Sequence, residues 1–119
     1  MKKILVVDDK QDILQTLEMI LTLEGYSVSL AYDGQEGLKW LKDSKPDLII
    51  SDIMMPIMNG IEMVKTIRAN PSMKSIPIIM LSAVQPEARL TENKSWNVFI
   101  KKPPDLDKLL YTINQLLTN

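Results

Sequence analysis

The chain has 119 residues, 45% of them apolar and 24% charged, a mix that supports one compact domain with one real core and excludes disorder, collagen and coiled coil. Fourteen Lys and Arg against fifteen Asp and Glu leave a net charge of −1, which argues against binding nucleic acid or an anionic membrane by bulk charge. Cys and His are absent, which removes disulfides, thiolate and imidazole metal sites, Cys nucleophiles, His bases and a phosphohistidine on this chain. Any function must run on carboxylates, Lys, hydroxyls and backbone groups.

The opening Met1-Lys2-Lys3 imitates the start of a signal peptide, but the apolar stretch behind it, Ile4 to Val7, is too short and runs into two acids. No run approaches a membrane span, so a cytoplasmic protein is expected. Residues 3–7 (KILVV) are the first of five short apolar runs that read as strands buried on both faces. A helix follows over 11–24, with Ile13, Leu14, Leu17, Ile20 and Leu21 on one face and Gly25 as its stop. The second strand is expected at 27–31 (SVSLA), with Asp33-Gly34 as a plain turn before a helix over 35–44. The third strand is expected at 47–51 (DLIIS), and Ile61, Val64 and Ile67 mark a helix over 61–69. The fourth strand is placed at 77–81 (PIIML), followed by a weak helix at 86–94 with only Ala88 and Leu90 apolar. The fifth strand is 98–101 (VFIK), and Leu106, Leu109, Leu110, Ile113, Leu116 and Leu117 form the clearest helical stripe. Five strand–helix units in succession predict a parallel sheet with helices on both faces and right-handed crossovers. There is no linker, repeat or low-complexity segment, and a single domain over 1–119 is expected.

In such a sheet, ligands bind outside the carboxyl ends of the strands, near a switch point in the strand order. The residues following the strands are Asp8 and Asp9, Asp52, Ser82, and Lys102 with Pro103. Each has a plainer reading. An Asp after a strand commonly caps the next helix, a Ser there bonds within a turn, and a Lys is usually solvated. Asp52 escapes the capping explanation, because the next helix starts only near Ile61. The weight rests on the conjunction of three carboxylates, one hydroxyl and one ammonium at one edge of the sheet.

Carboxylates gathered in one pocket repel: two unit charges ~4 Å apart cost about 4 kcal/mol at an effective dielectric near 20. A cation relieves this. Mg²⁺ fits, as a hard ion that takes one or two carboxylates together with waters and phosphate oxygens, and with Lys102 it leaves the pocket formally neutral. Acids, Mg²⁺, Lys and a hydroxyl are the parts of a phosphoryl-transfer site, and an Asp can itself be the nucleophile, giving an acyl phosphate.

Four stretches carry a family resemblance across nearly all 119 residues: Asp8-Asp9 after the first strand, SDIMMPIMNG at 51–60, LSA at 81–83 and FIKKP at 99–103. Together they resemble the response-regulator receiver domain of bacterial two-component signalling and phosphorelays, chemotaxis regulators included. The resemblance implies a flavodoxin-like doubly wound (βα)5 fold with strand order 2-1-3-4-5. It implies Asp52 as the phosphoacceptor. It makes Asp9 the direct Mg²⁺ ligand, with Asp8 acting largely through water, Asp52 a metal ligand as well as the phosphoacceptor, and the backbone carbonyl of Met54 the third protein ligand. Ser82 resembles the switch hydroxyl, Lys102 the lysine that contacts the phosphoryl group, and Phe99 the aromatic that turns inward on activation. Pro56 stiffens the loop after Asp52, and Asn59-Gly60 is expected to supply positive φ before the third helix. The implied partners are a histidine kinase or histidine phosphotransfer protein and a downstream protein or output domain outside this chain. The resemblance also implies that partner binding changes at the face of the fourth and fifth helices and the fifth strand, that this domain binds no nucleic acid or membrane, and that it catalyses only its own phosphorylation and dephosphorylation.

The chain departs from the family pattern in several places. Ser95-Trp96 stand where Gly-Ala is usual, the interval from Ser82 to Lys102 is slightly short, and Pro86 falls in the intervening helix, which is expected to be short, displaced or mobile. Trp96 is either a partner contact on the output face or a filler of space left by that helix, the second being favoured. Pro104 stands where an aromatic is frequent. Gly37 replaces a common Ala inside the second helix, at a cost of roughly 1 kcal/mol. Met54 and Val84, two residues beyond Asp52 and Ser82, are apolar where family members can position the attacking water, so slow self-dephosphorylation is expected. Met54, Met55 and Met58 are read as loop packing in preference to a soft binding surface. Competing functions are a receiver-like docking module that needs no phosphorylation, an Asp-nucleophile phosphatase and a flavodoxin-like cofactor binder. Asp8-Asp9-Lys10 lacks the D-x-D of the phosphatase, and the first loop lacks the hydroxyl- and Gly-rich cradle of the cofactor binder.

Overall fold

The computed structural model describes residues 1–84 and 96–118. Its elements run β1 (Lys3–Val7), α1 (Gln11–Leu23), β2 (Ser27–Ala31), α2 (Gly34–Asp43), β3 (Leu48–Ser51), α3 (Gly60–Ala69), β4 (Ile78–Ser82), β5 (Val98–Lys101) and α4 (Leu106–Leu117). All five expected strands are present, and so are four of the five expected helices. The weak helix expected at 86–94 lies outside the described residues.

The strands form one parallel sheet in the order β2-β1-β3-β4-β5. Every residue of β3 and β4 is buried, as their unbroken apolar sequences require when helices cover both faces. Alternating side chains divide the core. Ile4, Val6, Ile50, Ile79 and Ile100 pack against α1 and α4, while Leu5, Val7, Ile49, Ile78 and Met80 pack against α2 and α3. Trp96 belongs to the second cluster and is only 7% exposed, so it fills the interior and is no surface contact. Among the described residues, no helix is long and apolar enough to cross a membrane.

Helix ends hold the loops in place. Gly25, at φ 92°, ends α1: its N–H donates to the Thr22 carbonyl and that of Tyr26 to the Leu21 carbonyl, the paired bonds that close a helix through a left-handed residue. Asp33 is more than the plain turn expected from the sequence. Its carboxylate accepts from the Glu36 N–H at 2.8 Å and caps α2, while Glu36 Oε1 accepts from the Tyr32 N–H. Asn59 and Glu62 form a reciprocal capping box at the start of α3. Gly37 also has a packing reason, because a Cβ there would meet Met63 Sδ at 3.0 Å and Val7 Cγ2 at 3.3 Å.

Candidate functional site

The strand order reverses at β1 and β3, where the chain leaves the sheet toward opposite faces. Register pairs Val7 with Ser51, so the next residues, Asp8 and Asp52, emerge side by side. The Asp52 N–H donates to the Val7 carbonyl at 2.9 Å and the Asp8 N–H to the Ala31 carbonyl at 3.1 Å, which extends the ladder into the site. Both side chains are buried, whereas Asp9 stays exposed at the rim. Oxygen atoms of Asp8, Asp9 and Asp52 lie within 4.8 Å of one another.

Lys102 closes the cluster from β5. The Lys102 N–H donates to the Ser82 carbonyl at 2.9 Å, so the chain is still in register with β4 when its side chain turns inward. Nζ donates to Asp8 Oδ2 at 2.6 Å and to Asp52 Oδ2 at 3.3 Å. The remaining oxygens take backbone donors: Asp8 Oδ1 accepts from the Lys10 N–H at 2.9 Å and Asp52 Oδ1 from the Ile53 N–H at 2.7 Å. Asp8 therefore bonds a backbone N–H near the start of α1, but the residue in the N-cap position is Lys10.

The electrostatics follow from this packing. Burial pushes the Asp8 carboxyl above its ordinary pKa, and the hydrogen bonds from Lys102 and the Lys10 N–H only partly offset it. Burial works the other way on Lys102, yet its hydrogen bond to Asp8 and the charges of Asp8 and Asp52 outweigh it, and its pKa is raised. The two shifts have different causes: burial raises Asp8, and the neighbouring carboxylates raise Lys102. The pocket's donors are hard carboxylate oxygens, the Lys102 ammonium within and the exposed Lys10 ammonium 3.8 Å from Asp9 leave one negative charge in excess, and Asp9 leaves a solvent approach. These residues fit Mg²⁺.

Ser82 is the last residue of β4, buried, with Oγ accepting from the Val84 N–H at 3.5 Å. Phe99 pairs with Met80 across β4 and β5 and is partly buried against the α2–α3 side of the core. Met54, Ile57 and Val84 are exposed apolar residues, whereas Met55 and Met58 pack on the core as expected.

The loop after Asp52 differs from expectation in one respect. Positive φ falls on Ile57, at 69°, and not on Asn59 or Gly60. The Met58 N–H reaches back to the Pro56 carbonyl at 2.7 Å, a three-residue turn with Ile57 at its strained centre. Gly60 is needed for closeness: a Cβ there would overlap the Asp52 carbonyl oxygen and lie 2.9 Å from Met80 Cε. Sequence reasoning also passed over Ser51, whose buried hydroxyl donates to the Asp52 carbonyl at 2.8 Å. The only signal for either role was adjacency to Asp52 within the 51–60 stretch.

Residues 4–114 match the family model described as the response regulator receiver domain. The chain is 46% identical over 86 residues, 72% of its length, to the alkaline phosphatase synthesis transcriptional regulatory protein PhoP of Bacillus subtilis, covering 35% of that protein. It is 37% identical over 98% of its length to the response regulator ArlR of Staphylococcus aureus, covering 53% of it. The chain thus spans about a third to a half of the length of these relatives. Among solved structures, the chemotaxis response regulator CheY4 of Vibrio cholerae superimposes with a TM-score of 0.90 at 34% identity, over 98% of this chain and 99% of that one. The response regulator TrrA of Thermotoga maritima, solved in complex with Mg²⁺ and BeF, gives 0.88 at 34% identity over 98% and 100%.

Proposed function

Because the chain belongs to the response regulator receiver family, we propose that its phosphoacceptor is Asp52, that Asp8 and Asp9 hold Mg²⁺ beside it, and that Lys102 and Ser82 meet the transferred phosphoryl group. The receiver acts as an Mg²⁺-dependent aspartyl-phosphate switch and catalyses no reaction but its own phosphorylation and dephosphorylation. The observation that carries the residue assignment is the convergence of three carboxylates and one ammonium at the switch point between β1 and β3.

The phosphodonor is a phosphohistidine on a histidine kinase or phosphotransfer protein. An Asp52 carboxylate oxygen attacks phosphorus in line; the new O–P bond forms as the N–P bond to imidazole breaks, and the imidazole takes its proton from solvent. When bound, Mg²⁺ would supply charge neutralisation; Asp9, Asp52 and the Met54 backbone carbonyl would hold it, with Asp8 acting largely through water. Lys102 Nζ already bridges Asp8 and Asp52, and it shifts its donors to the incoming oxygens as charge builds there. The Ser82 hydroxyl, whose contact to the Val84 N–H is long, turns to the phosphoryl group. Phe99, one strand over, follows inward and remodels the face of β5 and α4. Output passes to a protein or domain outside this chain, in the cytoplasm.

Incubation with acetyl phosphate, with and without Mg²⁺, followed by intact-mass measurement, tests this reading. One added phosphoryl group that needs Mg²⁺ and is absent in Asp52→Asn is expected. No gain would reject the phosphoacceptor assignment and leave a docking module that binds partners equally well with Asp52→Asn.

A further inference from the structure

The reacting groups stand at one end of β3, β4 and β5, and a single side chain ties together the segments that lead into the other ends of β4 and β5. Arg68, in the last turn of α3, is half-buried beneath them. Its Nη1 donates to the Lys74 carbonyl at 2.9 Å and the Ile76 carbonyl at 2.7 Å, and its Nη2 donates to Asn97 Oδ1 at 3.2 Å. The same Asn97 oxygen accepts from the Ile78 N–H at 2.8 Å, and the Asn97 N–H donates to the Ile78 carbonyl at 2.9 Å. One strand further in, the Ile49 N–H donates to the Pro77 carbonyl at 3.0 Å.

This clasp answers a question that the sheet leaves open. β5 is an edge strand of four residues. A slip of one residue against β4 would exchange Phe99 with Val98 and Ile100 between the two core faces, so side-chain pattern forbids it. A slip of two keeps every side chain on its face, and backbone ladder bonds do not distinguish the two registers. Such a slip would carry Lys102 roughly 7 Å along the strand, away from Asp8 and Asp52. Among the described residues at the start of β5, Trp96 is buried in the core, and Asn97 adds a polar contact specific to this register: its Oδ1 accepts from the Ile78 N–H and from Arg68 Nη2.

We infer that Asn97, held by Arg68, is a positioning residue for phosphoryl transfer: it sets the register of β5 and so the reach of Lys102 into the carboxylate cluster. The inference rests on the proposed role of Lys102.

The test compares wild type with Asn97→Ala, Asn97→Asp, Arg68→Met, Lys102→Met and the double variant Lys102→Met/Asn97→Ala. The readouts are the initial rate of phosphorylation by acetyl phosphate at saturating Mg²⁺, well below each melting temperature, and the backbone amide signals of Lys101 and Lys102. Asn97→Ala and Arg68→Met are expected to slow transfer roughly tenfold or more, because small misplacements of a reacting group are costly, and to shift both amides. Asn97→Asp keeps the acceptor for the Ile78 N–H and pairs with Arg68, so it should restore most of the rate. In the Lys102→Met background, Asn97→Ala should change the rate little further, since both act through one group. A wild-type rate with unmoved amides in Asn97→Ala, or an equal additional loss in the Lys102→Met background, would overturn the positioning role. A wild-type rate in Lys102→Met would instead remove the role of Lys102 itself.

Discussion

Replacing Gly60 by Ala sets two physical effects against each other. Helix propensity alone favours Ala by up to about 1 kcal/mol in a helix interior, and by less at the first position, which Gly60 occupies in α3. Packing opposes it. The new Cβ would overlap the Asp52 carbonyl oxygen and lie 3.0 Å from its carbonyl carbon. Met80 Cε, at 2.9 Å, is the end of a flexible side chain and can give way. The Asp52 backbone cannot, because its N–H is bonded to Val7 and its carbonyl to the Ser51 hydroxyl. α3 is equally held by the Gly60 N–H on the Ile53 carbonyl at 2.8 Å, by its capping box and by buried Ile61, Met63, Val64 and Ile67. Relief of the overlap requires one side to move on the order of 1 Å. Overpacking of this kind costs about 1–3 kcal/mol, which outweighs the propensity gain, so Gly60→Ala should lose about 1–2 kcal/mol in urea unfolding. The displaced group is the proposed phosphoacceptor, so phosphorylation by acetyl phosphate should fall about 100-fold. Gly25→Ala is the control: it strains a residue at φ 92° with nothing within 4 Å and costs roughly 1–2 kcal/mol far from the chemistry. Equal stability loss in the two variants with equal phosphorylation rates would refute the reasoning.

The burial and the charges of the pocket lead to further expectations. The raised Asp8 pKa means that the metal-free folded state holds its proton more tightly than the unfolded chain, so its contribution is present below the ordinary carboxylate pKa of 3.8 and is lost as pH rises through the raised value. Asp8→Asn should therefore stabilise the protein at neutral pH in a chelator, with the gain vanishing in acid and Mg²⁺ narrowing or reversing the order; urea midpoints at several pH values would show this, and a less stable variant at neutral pH would contradict it. Lys102→Met leaves Asp8 and Asp52 buried without their cation and should cost about 3 kcal/mol in a chelator, partly recovered with Mg²⁺; no loss would show that the acids do not need the ammonium. Polar substitution at Met54 and Val84, both exposed, should speed loss of the phosphoryl group, followed by mass against time; an unchanged decay would discard the idea that these side chains slow the attack of water.

Strand periods and helix stripes were legible because burial on both faces leaves little freedom: KILVV, LIIS and IIMLS have no exposed alternative. The acids were legible because each ends a strand, and parallel strands end at one edge. Less was visible in the loops. Asp33 reads as a turn residue from sequence because capping depends on a φ of −161° that places its carboxylate over the Glu36 N–H. The dipeptide Asn59-Gly60 suggested positive φ, whereas the strain sits on Ile57, a β-branched residue that no local rule selects.

Composition and order thus determined, unaided, an α/β sheet, a chemistry limited to oxygen ligands and one lysine, and the edge at which they gather. These are local properties: hydrophobic period, the absence of Cys and His, and position relative to a strand end. Tertiary structure decided that Trp96 is interior, that Gly60 lies against the Asp52 carbonyl, that Lys102 bridges two buried carboxylates, and that Arg68 and Asn97 bind together the starts of β4 and β5. Each depends on the distance between residues far apart in the chain, and only the register of the assembled sheet sets such distances.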